Sequence, residues 1–195
     1  MSRTGWDGSR QSGSPCCRTL GDRNLATIRV GHCVTDQGRL YRRPALIARC
    51  SGTADVVDAV NLARECDVEV SIRGGGHNVA GRAVVDDGLM IDLSLMKGIH
   101  VDAKGKTVRA QGGVTWGEFD RETLLHGLAT TGGIVISTGI ACVTPGGGLG
   151  WLMGKYGLVS DNLLSVDLVT ADGRVRRARA GEHSGLFWGL LGCCR

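Results

Sequence analysis

Arg73-Gly74-Gly75-Gly76-His77-Asn78 is the segment whose residue types point most directly to chemistry. It follows Val68–Ile72, whose alternation of apolar and polar residues predicts a strand. Glycine N–H groups in such a loop can turn inward and form an anion-binding nest, to which Arg73 would add charge and Asn78 a donor. The ring of His77, at the far edge of the loop, could reach a bound ligand. A tight strand-to-loop turn with a surface histidine is the alternative interpretation.

A second glycine cluster, Pro145-Gly146-Gly147-Gly148-Leu149-Gly150, follows the apolar segment Gly133–Val143. Two amide-rich loops in one small domain suit a ligand with an extended phosphate chain. A flexible linker is the alternative. The apolar residues Leu149, Trp151 and Leu152 count against a linker, because linkers are usually rich in Gly and Ser.

Two common nucleotide-binding motifs are incomplete in this sequence. No G-x-G-x-x-G occurs, so the dinucleotide fingerprint of a Rossmann fold is absent. Gly105-Lys106-Thr107 resembles the end of a phosphate-binding loop, but His100 stands where that motif needs its first glycine. We interpret this tripeptide as a turn before a strand.

The elements that must position the glycine loops can be predicted from periodicity and capping. The sequence predicts strands at Pro44–Arg49, Leu89–Leu93, Thr107–Gln111, Leu163–Ala171 and Val175–Ala178, and helices from Ser51 to Asp67, at Trp116–Leu125 and at Leu186–Leu191. A β-α-β opening followed by strands and hairpins with few helices predicts an α+β fold, or two α/β lobes, rather than a doubly wound sheet. Residues 1–43 show no sustained periodicity, and we expect regular structure to begin near residue 43.

Composition narrows the class of protein. Glycine accounts for 32 of the 195 residues, and the net charge of +4 comes from residues 1–43, so no basic patch indicates nucleic acid as a partner. No apolar run is long enough for a membrane span, and the N-terminus lacks the apolar core of a secretory signal. The eight cysteines form no C-x-x-C pair. We therefore expect a cytoplasmic protein with mostly reduced thiols, no metal site and no membrane partner.

Six ordered blocks carry a resemblance to a known family. They are Arg73-Gly-Gly-Gly-His77-Asn-Val-Ala-Gly81, Ile91-Asp-Leu-Ser94, Gly146-Gly-Gly-Leu-Gly150, Lys155-Tyr-Gly-Leu158 with Asp161-Asn162, Val169-Thr-Ala-Asp-Gly173 and Leu186-Phe-Trp188. In this order and spacing they resemble the FAD-binding PCMH-type domain of the p-cresol methylhydroxylase and vanillyl-alcohol oxidase superfamily. The berberine-bridge-enzyme-like branch of FAD-linked oxidases is the best match.

The resemblance implies a domain of two α/β lobes with FAD between them. The first glycine loop would hold the pyrophosphate, and His77 would bond covalently to the 8-methyl group of the flavin. The cofactor-binding residues that the resemblance implies are Arg73, Gly74, Gly75, Gly76, His77, Asn78, Gly81, Gly132, Gly133, Thr138, Gly139, Gly146, Gly147, Gly148, Gly150, Tyr156, Gly157 and Asp161.

Many members of this branch carry a second covalent link through a cysteine about eleven residues before the second glycine cluster. That position is Val135 here, so the resemblance implies a single link. Cys142 lies nearby, where relatives carry glycine, and we interpret it as a small buried residue.

The family pattern is incomplete at both ends of the sequence. Residues 1–43 match the family poorly, 44–192 correspond to an incomplete FAD-binding domain truncated at its C-terminal end, and 193–195 form a tail. In the family a substrate domain normally supplies the base, and we expect no counterpart of it within this sequence, so no catalytic base is assigned.

The resemblance implies hydride transfer from a small organic substrate, such as an alcohol, a sugar or a natural product, to flavin that O2 reoxidises. Two alternatives remain open at this point. One is an inactive truncated fragment that keeps the fold, and the other is a reductase with non-covalent FAD.

Overall fold

A four-stranded sheet forms the first layer of the protein. The computed structural model describes residues 42–191, together with short strands in the segment before them. The sheet has the order β1 (Ile28–Arg29), β4 (Leu46–Arg49), β6 (Leu89–Asp92) and β5 (Val70–Arg73). Strand β6 pairs in parallel with both β4 and β5, whereas β1 is antiparallel to β4. Two further short strands, β2 (Cys33–Val34) and β3 (Tyr41–Arg42), pair with each other.

Helix α1 (Thr53–Cys66) connects β4 to β5 and completes the predicted β-α-β unit. Its start is fixed by Asp55, whose carboxylate accepts hydrogen bonds from the backbone and hydroxyl of Ser51, both at 2.7 Å, and from Gly52 N at 3.2 Å. It ends at Asp67, which adopts a left-handed conformation with φ 48°. The predicted helix is therefore confirmed at both ends.

The core of this layer lies between α1 and the sheet. Ala59 and Ala63 of the helix pack against Ala48, Leu89 and Ile91 of the strands. All four residues of β6 are buried, as expected for a central strand that is parallel to both of its neighbours. This packing fixes the end of β5, from which the first glycine loop emerges.

The second half of the chain consists of two hairpins and several helices. Strands β7 (Ile99–Asp102) and β8 (Thr107–Ala110) form one hairpin, and β9 (Ser165–Val169) and β10 (Val175–Arg179) form the other. The helices are α2 (Trp116–Leu124), α3 (Ile140–Val143), α4 (Met153–Tyr156) and α5 (Ser184–Leu191), with a 3-10 turn at Ser160–Asn162. Helix α5 packs Phe187 and Leu191 against Ala178 of β10. The architecture is the α+β fold that the sequence predicts.

Several predictions made from the sequence differ from the structure. Strands β1, β2 and β3 lie within the segment for which we expected no regular structure, because pairing with β4 and within the β2–β3 hairpin stabilises strands too short to show periodicity. The strand β7 was also not predicted, although it pairs along its whole length with β8. The helices α3 and α4 have four residues each, too few for a periodic pattern.

The environments of three side chains also differ from expectation. Cys142 is exposed rather than buried, because the four-residue helix α3 buries none of its residues. Trp188 is 50% exposed on α5, although tryptophan side chains are highly buried on average. Cys66 is disulfide-bonded rather than reduced, whereas Cys50 and Cys142 are free thiols.

Two features are absent from the part of the chain that the structure describes. None of their helices combines the length and apolarity needed to cross a bilayer. No group of three or more His, Cys, Asp or Glu side chains among them is arranged to hold a metal ion.

The cap of α1 generates a stability prediction. The hydrogen bond from the Ser51 side chain lowers the pKa of Asp55 below its usual range. A carboxyl group with a lower pKa in the folded state stabilises that state above its unfolded pKa of about 3.9, and this contribution disappears as the pH falls. We expect Asp55→Asn to cost about 1 kcal/mol in urea unfolding at pH 7, and the difference from the parent chain to shrink near pH 3.

Asp58→Asn is the matched control, because Asp58 is an exposed aspartate on the same helix. It should change the free energy of unfolding by less than about 0.5 kcal/mol. Equal costs for the two variants at pH 7 would contradict the role of Asp55 in capping the start of the helix.

Candidate functional site

The first glycine loop begins where β5 ends beside β6. Arg73, the last residue of β5, lies with its Nη1 3.7 Å from Oδ1 of Asp92, the last residue of β6. Asp92 is 6% exposed and also lies 3.7 Å from Nε of Arg49. The Arg73 guanidinium faces Gly76, where a Cβ would lie 3.2 Å from its Nε. Arg73 thus forms an ion pair with Asp92 and packs against the loop at Gly76. The sequence alone suggested instead that its charge was available to a ligand.

Gly75 and Gly139 bring two distant loops into direct backbone contact. A Cβ on Gly75 would lie 2.3 Å from Gly139 N, and one on Gly139 would lie 2.4 Å from Gly75 N. Real Cβ atoms essentially never approach other atoms this closely. Both positions therefore require glycine, and the requirement comes from the partner loop rather than from backbone conformation.

The segment that contains Gly139 is anchored to the start of α2. Trp116 N donates to Thr138 O at 3.0 Å, Gly117 N to Ile136 O at 2.8 Å, and Ile140 N to Val114 O at 3.0 Å. The helix itself is fixed by a capping box, in which Glu118 accepts from both the backbone and the hydroxyl of Thr115. These hydrogen bonds hold the segment 136–140 against the start of α2, and this fixes the position at which Gly139 contacts the first glycine loop.

The N–H groups of Gly74, Gly75 and Gly76 are the chemically available part of the loop. Within the described part of the chain, none of the three donates to a protein acceptor. Gly76 is buried and adopts φ +79°, a conformation that side chains rarely allow. Successive N–H groups of this kind bind an oxyanion such as a phosphate.

His77 follows these glycines, and its ring contacts the segment 136–140. Its Nε2 is 2.9 Å from Oγ of Ser137, although the two residues are 60 positions apart in sequence. The structure therefore brings together the loop, the histidine and the 137–139 segment in one place. The ring is held in one orientation rather than left to move on the surface.

Asn78 and Gly81 form the turn that leaves the loop. Gly81 N donates to Asn78 O at 2.9 Å, and Arg82 N donates to Asn78 Oδ1 at 3.0 Å. Gly81 has φ +69°. In this structure, the Asn78 side-chain oxygen thus closes the turn.

The second glycine cluster is centred on a different set of neighbours. A Cβ on Gly150 would lie 2.0 Å from Gly132 O, and Gly132 and Gly133 both rest on the ring of the buried Trp116. Gly147 O accepts from Ser160 N at 3.0 Å, and Gly148 O accepts from Val159 N at 3.1 Å.

Tyr156, Gly157 and Asp161 belong to the same part of the fold. Thr131 Oγ1 donates to Gly157 O at 2.9 Å, and Leu158 N donates to Oδ2 of Asp161 at 2.9 Å. Tyr156 is about half exposed. The predicted residues thus form two groups, one around the first glycine loop and one around the second glycine cluster. The segment 132–139 connects them, because Gly139 contacts the first group and Gly132 contacts the second.

A family profile described as an FAD binding domain matches residues 44–179. The chain belongs to this family. Its FAD-binding domain is similar to (R)-6-hydroxynicotine oxidase of Paenarthrobacter nicotinovorans, at 43% identity over 155 residues, which is 80% of this chain and 34% of that protein. It is also 33% identical over 159 residues to Berberine bridge enzyme-like D-1 of Nicotiana tabacum, covering 77% of this chain and 27% of the relative.

A solved structure supports the same assignment. Glucooligosaccharide oxidase from Acremonium strictum, with its 6-S-cysteinyl, 8α-N1-histidyl FAD, superimposes with a TM-score of 0.76 at 29% identity, over 84% of this chain and 37% of that one. The chain thus spans about a third of the length of the curated relatives it matches. The predicted family, its FAD-binding α+β fold and its berberine-bridge-enzyme-like relatives are confirmed.

The FAD-binding domain contains two site residues that the sequence analysis missed. Ser137 contacts His77 across 60 positions, and Asp92 holds Arg73 from the neighbouring strand. The only sequence signal for Ser137 is a pair of hydroxyl residues inside an apolar segment. Asp92 ends a strand of apolar residues, and a carboxylate there indicates a buried partner.

The Gly75–Gly139 contact generates the second prediction. We expect Gly75→Ala and Gly139→Ala each to cost about 1–3 kcal/mol in unfolding free energy, because the added methyl group forces the loops apart. The double variant should cost less than the sum of the two, since the first substitution already separates the loops. Urea unfolding of the four chains measures this.

Gly154→Ala is the control, because no atom lies within 4 Å of a Cβ at that position. It should leave the free energy of unfolding within about 0.5 kcal/mol of the parent chain. Strictly additive costs for the Gly75 and Gly139 substitutions would mean that the two glycines do not share a contact in solution.

Proposed function

We propose that this chain is the cofactor-binding part of an FAD-linked oxidase whose flavin is attached covalently through His77. The amides of the first glycine loop would bind the pyrophosphate. Small organic molecules, such as an alcohol, a sugar or a natural product, would be the substrates. When bound, the flavin supplies hydride acceptance and reoxidation by O2.

One observation carries the proposal. His77 directly follows three glycines whose N–H groups find no acceptor among the residues that the structure describes, and the backbone contact between Gly75 and Gly139 brings the segment with Ser137 to its ring. A pyrophosphate bound at Gly74–Gly76 would bring the remainder of an FAD molecule near the imidazole, which belongs to the next residue of the chain. The residues present thus fit the cofactor that the family binds.

The surrounding residues would each serve binding rather than redox chemistry. The N–H groups would neutralise pyrophosphate charge by hydrogen bonding. Asp92 would keep the Arg73 guanidinium against the loop, so that it supports the loop conformation. The second glycine cluster, with Gly132 and Gly133 on Trp116, would form the opposite wall. Gly146, Tyr156, Gly157 and Asp161 remain proposed contacts of that wall.

Two named relatives support the oxidase class and the histidyl link. The similarity to (R)-6-hydroxynicotine oxidase favours oxidation of a small molecule. The histidyl FAD of glucooligosaccharide oxidase favours a histidine as the attachment residue. This chain carries Val135 where the resemblance places a second attachment residue, and valine has no nucleophilic atom. A single histidyl bond is therefore proposed.

The experiment is the intact mass of the chain under denaturing conditions after expression with FAD available. We expect an increase equal to one FAD less the hydrogens lost in bond formation. A peptide map should place the flavin on His77. His77→Ala should remove the whole increase, while His100→Ala, which changes an exposed histidine on β7, should keep it.

Each other outcome contradicts a defined part of the proposal. Flavin that remains attached in His77→Ala would show that the site is wrong. An unmodified mass together with FAD released on denaturation would contradict the covalent bond and favour a reductase with non-covalent FAD. A chain that retains no FAD in either form would contradict cofactor binding and favour an inactive fragment that keeps the fold.

A further inference from the structure

The contact between His77 and Ser137 goes beyond what a pyrophosphate site needs. Ser137 is exposed, and its Oγ lies 2.9 Å from Nε2 of His77. Surface serines usually bond to water or to nearby backbone. Here the hydroxyl reaches the imidazole on the other glycine loop instead.

The position of Ser137 is fixed by its neighbours on both sides. The carbonyl of Ile136 accepts from Gly117 N at 2.8 Å, and the carbonyl of Thr138 accepts from Trp116 N at 3.0 Å. The carbonyl of Ser137 itself lies 3.0 Å from the place of a Cβ on Gly75. The hydroxyl is thus presented from backbone that α2 holds, next to the loop that carries His77.

We propose that Ser137 is a positioning residue for attachment of the flavin to His77, acting through the hydrogen bond between its Oγ and Nε2. This inference rests on the function proposed above. In the tautomer whose Nε2–H donates to Ser137, Nδ1 carries the in-plane lone pair that would form the attachment bond. The hydrogen bond also fixes the rotation of the ring about its side-chain bonds.

Attachment would be an oxidative bond formation that first leaves the flavin reduced by two electrons. One bond forms between Nδ1 and C8α of the flavin, one C8α–H bond breaks, and the imidazole gives up its Nε2 proton. The electron pair and both protons remain with the flavin ring until O2 removes them and is reduced to hydrogen peroxide. As the bond forms, positive charge develops on the imidazole, and Ser137 Oγ faces the proton that must leave.

Four variants test the hydroxyl separately from the shape of the side chain. Ser137→Ala removes the hydroxyl, Ser137→Thr keeps it, and Ser137→Val matches threonine in shape without it. Ser165→Ala, at an exposed serine of β9, is the control. Each chain is prepared from a riboflavin-limited host and mixed with FAD, and two quantities are measured: the rate of covalent attachment by intact mass, and the affinity for FAD before attachment.

We expect Ser137→Ala and Ser137→Val to slow attachment about tenfold, the effect of losing one hydrogen bond to a group that becomes charged. Ser137→Thr should restore most of the rate, and Ser165→Ala should not change it. Affinity for unattached FAD should stay within about twofold in all four variants, because the hydroxyl does not contact the pyrophosphate amides.

The result that overturns the inference is an unchanged rate in Ser137→Ala, or equal rates in the threonine and valine variants. A parallel loss of FAD affinity and rate would also overturn it, since this indicates a disturbed loop. If the parent chain attaches no flavin, both this inference and the covalent part of the proposed function are wrong. If the parent chain attaches flavin and all four variants attach it at the parental rate, only the inference about Ser137 is contradicted.

Discussion

The site depends on the backbone-to-backbone contact between Gly75 and Gly139. A Cβ at either position would come within 2.4 Å of the other glycine's nitrogen, so no other residue allows this approach. The contact joins a loop of the four-stranded sheet to a loop anchored on α2. It keeps the N–H groups of Gly74–Gly76 and the contact between His77 and Ser137 in one place.

The remainder of the fold holds these two loops in position. Burial of β6 between β4 and β5, under α1, fixes the end of β5 and the Arg73–Asp92 pair from which the first loop starts. On the other side, the capped start of α2 holds the carbonyls on either side of Ser137. Both loops thus start from well-packed elements, an arrangement that suits preorganised ligand binding.

Much of this architecture could be predicted from the sequence, because the signals were local. Periodicity and Asp55 capping located α1, and alternation located β5 before the glycine loop. Strand β7, the four-residue helix α3 and the two-residue strands depend on pairing or tertiary contacts and leave no local pattern. The same dependence on tertiary contacts applies to the site. The glycines and His77 form a local motif that could be predicted, whereas Ser137 lies 60 residues away and belongs to no pattern shared with them.

The central claim, that the first glycine loop binds the pyrophosphate of FAD, is tested most directly by titrating FAD into the ¹⁵N-labelled His77→Ala chain and following the backbone amide resonances. We predict that the largest downfield proton shifts occur at Gly74, Gly75 and Gly76, because a hydrogen bond to a phosphate oxygen deshields the donor proton. Smaller shifts should appear at Gly139, which contacts Gly75. Saturable FAD binding that leaves the three loop amides unshifted would contradict the account.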